Sequence, residues 1–190
     1  DKYYAYGIRN SFGMDFDPVT GKLWDTENGP SFGDEINLVE PGFNSGWSKV
    51  QGIWKPKDGR AGDTDLIPDD LINFDDRGRY SAPEFIWFHT VGPTELEFLS
   101  SSKYGEQYVN DLFAGDIHNG TLYHFDLNKD RTELYLREPL TDKIAQSPIE
   151  LEKIVFGEGF GGISDIELGP DGYLYILATT FDKIFRIIPR

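Results

Sequence analysis

The chain has 190 residues, 38% of them hydrophobic, enough for one domain with a buried core and too apolar for a disordered chain. A net charge of −15 repels phosphate backbones and anionic lipid, so it argues against nucleic acid and acidic membranes as partners and favours cations. The absence of cysteine excludes disulfides, thiol catalysis and thiolate metal sites.

Short alternating runs bounded by Gly, Pro, Asn and Asp dominate the chain, and helical periodicity is weak, which is the pattern of an all-β protein. Phe12 to Phe16 reads as a strand, Asp17-Pro18-Val19-Thr20-Gly21 as a turn and Lys22 to Asp25 as the returning strand. Glu27 to Asn37 then sets a Gly29-Pro30 corner among acids and amides. Lys55 to Arg79 is acidic and aperiodic, with Asp58, Asp63, Asp65, Asp69, Asp70, Asp75 and Asp76. It lacks the spacing of an EF-hand and reads as a long inserted loop over 55–80, a solvated loop or a rim over a central site. Thr94 to Phe98 pairs with Asp111 to Gly115, and the connection through Ser100 to Tyr108 has room for one helical turn. Ile117 to Tyr123 carries the Asn119-Gly120 centre of a type I′ hairpin. Asn119-Gly120-Thr121 is also a glycosylation sequon. Ile163 to Leu168, the turn Gly169-Pro170-Asp171-Gly172 and Tyr173 to Leu177 repeat the first hairpin. A last hairpin turns at Asp182-Lys183 into Ile184 to Ile188.

Repeated β units of this kind predict a β-propeller, with a β-sandwich of the same hairpins as the alternative. At roughly 40–45 residues per blade the chain holds three to four blades, about half of a larger ring, so residues 1–190 form a partial propeller. Its end blades would expose unpaired strand edges. The segment is therefore expected to join a missing amino-terminal half or to pair with a second copy, closing a two-fold homodimeric ring. No apolar run approaches the ~18 residues that span a bilayer, and no signal peptide opens the chain. The chain begins at Asp1, almost directly on a motif, and an amino-terminal portion is expected to precede it.

The corner at Glu27 to Asn37 offers the chemistry of a hard cation, because calcium takes six to eight oxygen ligands and accepts backbone carbonyls as readily as carboxylates. On the residues alone, Gly29-Pro30 also fits a plain turn, Asp34 and Glu35 a solvated edge, Arg9 a surface ion pair and His118 the flank of a turn. Asn44 and Trp47 read as packing residues.

Three stretches carry a resemblance. The first runs from Gly7-Ile8-Arg9-Asn10 through Glu27-Asn28-Gly29-Pro30 and Gly33-Asp34-Glu35-Ile36-Asn37 to Gly42-Phe43-Asn44-Ser45-Gly46-Trp47. The second is Trp87 to Pro93 and the third Asp165 to Tyr175. Together they resemble the carboxy-terminal half of the soluble quinoprotein sugar (glucose/aldose) dehydrogenases, which use pyrroloquinoline quinone (PQQ). The resemblance implies a six-bladed propeller with cofactor and sugar at one mouth of the channel, and an extracellular or periplasmic location. It implies that Arg9, Asn10 and Thr90 lie against PQQ, with His118 where the glucose enzymes carry a lysine. It implies that the carbonyls of Gly29 and Pro30 hold the calcium that polarises the quinone, and that Glu35 and the Ser45 carbonyl hold a second, structural calcium. The family's catalytic histidine belongs to the amino-terminal half, and none of His89, His118 and His124 matches it by motif. Gly162 and Ser164 stand where the glucose enzymes place two arginines, which weakens PQQ capture. Two functions follow: an aldose-oxidising enzyme when complete, or a non-catalytic, calcium-stabilised propeller that binds carbohydrate or protein.

Overall fold

The computed structural model describes residues 2–64 and 71–189. Three sheets follow one another along the chain. The first contains Ser11–Phe16, Leu23–Glu27, Asp34–Val39 and Phe85–Trp87 in antiparallel order, with Ile144–Ala145 added in parallel at its far edge. The second contains Pro93–Phe98, Leu112–Asp116, Leu122–Phe125 and Val155–Gly157. The third contains Ile163–Leu168, Leu174–Ala178 and Lys183–Arg186.

The first strand of each sheet lies innermost, beside the first strand of the next. Thr94 Oγ1 donates to the Ile163 carbonyl at 2.8 Å, near the start of both strands. At the other end the Phe98 N–H donates to Asp15 Oδ2 at 2.9 Å and the Leu168 N–H to Glu97 Oε1 at 3.3 Å. Starts meet starts and ends meet ends, so the three inner strands run in one direction. Their close approach needs Gly13: a Cβ there would sit 2.5 Å from the Thr94 carbonyl oxygen.

Alternation along each strand sends side chains into two cores. Trp24, Ile36, Phe85 and Trp87 of the first sheet meet Leu96, Leu112, Ala114 and Phe125 of the second. Phe113 and Leu122, on the opposite face of the second sheet, meet Ile163, Ile166, Leu174 and Ile176 of the third. Each fully buried large side chain contributes about 1.5–3 kcal/mol, so the intersheet seams hold the sheets together.

The predicted hairpins are present within a residue or two, and the connection after Phe98 holds a single 3-10 turn, Glu106–Tyr108. The Gly169–Gly172 corner is a tight turn, with the Gly172 N–H donating to the Gly169 carbonyl at 2.8 Å and Gly172 at φ +81°. The Asn119-Gly120 corner differs from expectation. Only Gly120 has positive φ (+67°), whereas a type I′ turn needs it at both central residues. Asp116 Oδ1 instead accepts the Asn119 and Gly120 N–H groups, at 2.5 and 3.0 Å, and this side-chain anchor sets a longer corner.

The acidic segment is not uniformly irregular. It contains the short hairpin Pro56–Lys57 with Arg60–Ala61 and ends in Arg79–Tyr80, which pairs in parallel with Phe43–Asn44, itself parallel to Ala5–Tyr6. Asp65, Asp69 and Asp70 lie outside the described residues.

Candidate functional site

Asp34 opens its strand with its side chain wholly buried. Its Oδ1 accepts the Gly29 N–H at 2.8 Å, and its Oδ2 accepts the N–H groups of Val91 and Gly92 at 2.7 and 2.8 Å. One carboxylate thereby ties the Gly29-Pro30 corner to the loop that carries Thr90. Burial pushes the Asp34 carboxyl up, against the pull of the three N–H donors. Gly29 is required where it stands, since a Cβ would lie 2.0 Å from the Phe32 carbonyl oxygen.

Around this corner gather Arg9, Asn10, Thr90 and His118. Arg9 Nη1 donates to the Asn28 carbonyl at 2.6 Å, the guanidinium lies 5.2 Å over the Trp47 ring, and Nε is buried without a partner among the described residues. The Asn28 N–H donates to the Asn10 carbonyl at 2.9 Å, and Asn28 Nδ2 donates to the Pro93 carbonyl at 2.6 Å. His118 is exposed, with Nδ1 3.4 Å from the Thr90 carbonyl oxygen. The Gly59 hairpin of the acidic segment abuts the corner through a Ser31 Oγ donation to the Gly59 carbonyl at 2.5 Å. Among the described residues no hydrogen bond is accepted by the Gly29 or Pro30 carbonyl, which leaves both oxygens available to a cation.

A second cluster lies behind the first. Register places Glu27 opposite Glu35 and Asp25 opposite Asn37, so all four share one face while Trp24 and Ile36 fill the core on the other. Glu27 and Glu35 are each 1% exposed. Ser45 Oγ donates to Glu27 Oε2 at 2.7 Å and stands 3.4 Å from Glu35 Oε2. Gln51 Nε2 and the Gly52 N–H donate to Glu35 Oε1 at 2.8 and 2.5 Å, and the Arg9 N–H donates to Glu27 Oε1 at 2.7 Å. Burial pushes Asp25 up to about 6 and Glu27 up to about 7, and drives Glu35 well above the carboxylate range with help from the Glu27 charge. Among the described residues Asp25 Oδ1, Asn37 Oδ1 and Gln51 Oε1 are buried without a hydrogen-bond partner. Unpaired buried oxygens beside two opposed carboxylates are the donor set of a hard divalent cation, so the residues present fit calcium.

The reading of Asp34 and Glu35 as a solvated edge is therefore overturned, because both are buried. Among the described residues Arg9 forms no ion pair; it is spent on a carbonyl and an aromatic face. The expected residues fall into two groups: Arg9, Asn10, Gly29, Pro30, Thr90 and His118 meet at the Asp34 corner, and Glu35 and Ser45 meet in the buried cluster. Sequence reasoning placed Glu27 and Asn37 only within the cation-favouring run and assigned no role to Asp25 or Gln51. The signal was present in part, as a polar residue at every second position of a hairpin whose other face is apolar. Gly162 and Ser164 add no cation: the Gly162 carbonyl accepts from Thr179, and Ser164 Oγ donates to the Leu177 carbonyl at 3.3 Å.

The family profile described as Glucose / Sorbosone dehydrogenase matches residues 1–186. The chain belongs to the glucose/sorbosone dehydrogenase family. Among its relatives is the aldose sugar dehydrogenase YliI of Escherichia coli, 29% identical over 192 aligned positions that cover 98% of this chain and 44% of the relative. The crystal structure of the soluble aldose sugar dehydrogenase of Escherichia coli in its apo form superposes with a TM-score of 0.67 at 24% identity, over 100% of this chain and 47% of that one. The PQQ-bound aldose sugar dehydrogenase of Streptomyces coelicolor gives 0.60 at 19% identity, over 96% and 41%. These likenesses establish the β-propeller fold. The chain spans about half the length of these relatives. No helix among the described residues is long and apolar enough to cross a membrane.

Proposed function

We propose that this chain supplies the calcium corner and part of the cofactor clamp of a sugar-oxidising quinoprotein located outside the cytoplasm. The observation that carries the reading is that Asp34 ties the Gly29-Pro30 corner to the Val91 and Gly92 backbone beside Thr90, with Arg9 and Asn10 joined to that corner through Asn28 and His118 set against the Thr90 carbonyl. When bound, calcium-activated PQQ would take up the hydride of an aldose at its anomeric carbon. The Gly29 and Pro30 carbonyls would hold that calcium as neutral ligands, leaving its charge to act as a Lewis acid. Arg9, stacked on Trp47 and fixed through Asn28, would present its guanidinium edge to a carboxylate or quinone oxygen. Asn10, Thr90 and His118 would line the same mouth. Glu35, Glu27 and the Ser45 carbonyl would hold the second calcium, which ties the first sheet to the 45–52 segment. No catalytic base is assigned among the described residues.

The lack of cations at Gly162 and Ser164 favours a second reading, a calcium-stabilised propeller that binds carbohydrate or protein without catalysis. Equilibrating the protein with calcium and PQQ and then desalting it separates the two. Retained quinone absorbance that is lost on Arg9→Ala supports the enzyme. A calcium-binding protein that emerges colourless rejects it for this chain.

A further inference from the structure

We propose that Asp111, His124 and Asp126 form a site for a divalent transition metal of the zinc class on the second sheet, apart from both calcium clusters. Asp111 immediately precedes the Leu112–Asp116 strand, and His124 and Asp126 lie at the end of Leu122–Phe125, its antiparallel neighbour. His124 Nε2 stands 2.8 Å from Asp111 Oδ2 and 3.5 Å from Asp126 Oδ1. All three donor atoms lie within 4.8 Å of one another. Ligands at about 2.0–2.2 Å from a tetrahedral zinc ion stand roughly 3.4 Å apart, so an ion enters with small shifts and no backbone rearrangement.

The surroundings suit an ion. Tyr108 and Phe113 pack on the imidazole with ring centroids at 5.0 and 5.1 Å, which fixes the ring and keeps the local dielectric low. Asp111 is buried and Asp126 half-buried, and the two carboxylates repel one another beside the histidine, a repulsion that a dication relieves. Arg137 reaches the other oxygen of Asp126 at 3.6 Å and leaves Oδ1 to His124, while Lys153 lines the adjoining cavity. His124 and Asp126 also line a cavity of about 210 Å³, with Tyr108 and Tyr135 on its walls. The cavity provides an entry path and room for a water as fourth ligand. One imidazole among two carboxylates separates this site from the all-oxygen clusters, because a nitrogen donor favours zinc-class ions over calcium. The bound ion would pin the end of the Leu122–Phe125 strand to the Asp111 turn.

Cobalt(II) titration of the calcium-saturated protein tests the assignment. The expected result is one cobalt per chain with visible d–d absorption, displaced by zinc. His124→Gln should weaken binding by at least about a hundredfold, the upper end of what losing even an outer-shell partner costs, while His89→Gln leaves it unchanged. Asp126→Asn, at a half-buried position, repeats the test if His124→Gln misfolds. No cobalt or zinc uptake by the calcium-saturated wild type overturns the proposal and leaves a plain histidine–carboxylate ion pair. Uptake untouched by either substitution overturns it equally.

Discussion

Asp34 and Glu35 are adjacent and both buried, yet they serve different clusters. Successive residues of a strand point to opposite faces, so one carboxylate reaches the cofactor corner and the next reaches the cluster behind it. Asp34 is a strong lever, because three backbone N–H groups from two segments depend on one acceptor. Asp34→Asn keeps the shape but replaces half of that acceptor with a donor that faces N–H groups. Hydrogen bonds to charged groups are worth roughly 1.5–3 kcal/mol each, so urea denaturation should show a loss of at least about 2 kcal/mol, together with lost PQQ retention. An unchanged midpoint would mean that the corner stands without Asp34. The resemblance located this corner from its motif, but burial and direction could not be read from the letters, since two of the three partners of Asp34 are backbone groups some sixty positions away.

At the scale of the strand, the inner edges carry a ladder of acids. Glu95 and Glu97 on the middle inner strand face Asp15 on one side and Asp165 and Glu167 on the other. Burial first, then these like charges, push Glu95 up to about 7 and Glu97 up to about 8. Both groups hold protons more tightly folded than unfolded. Their contribution to stability is therefore complete below the unfolded value near 4.5 and is lost as pH rises through about 7 to 8. Thermal unfolding followed across that window should show a falling midpoint, and Glu97→Gln should flatten the fall. A midpoint that rises with pH in the wild type would contradict this ordering. The strands themselves were legible from alternation and turn residues. The ladder was not, because it forms only when three strands far apart in sequence lie side by side.

For the whole molecule, part of the exposed apolar surface lies on the flanks of the first and third sheets. Phe12, Met14 and Phe16 alternate along the first inner strand at 65%, 70% and 61% exposure, and Ile184 on the last strand is 69% exposed. Contiguous apolar faces of this kind mark contact surfaces. A polypeptide of these 190 residues is expected to self-associate, and light scattering over a concentration series checks it; a monomer throughout would show that neither flank needs a cover. What the sequence by itself determined was local: the strand periods, the Gly-Pro and Asn-Gly corners, and the motifs that identify the family. Tertiary structure alone decided which carboxylates lose their water, that Asp25, Glu27, Asn37 and Gln51 join Glu35, and that His124 meets Asp111 and Asp126. The reason is physical. A strand's period is set by neighbouring residues, whereas burial and coordination are set by register and by segments that only the folded chain brings within a few ångströms.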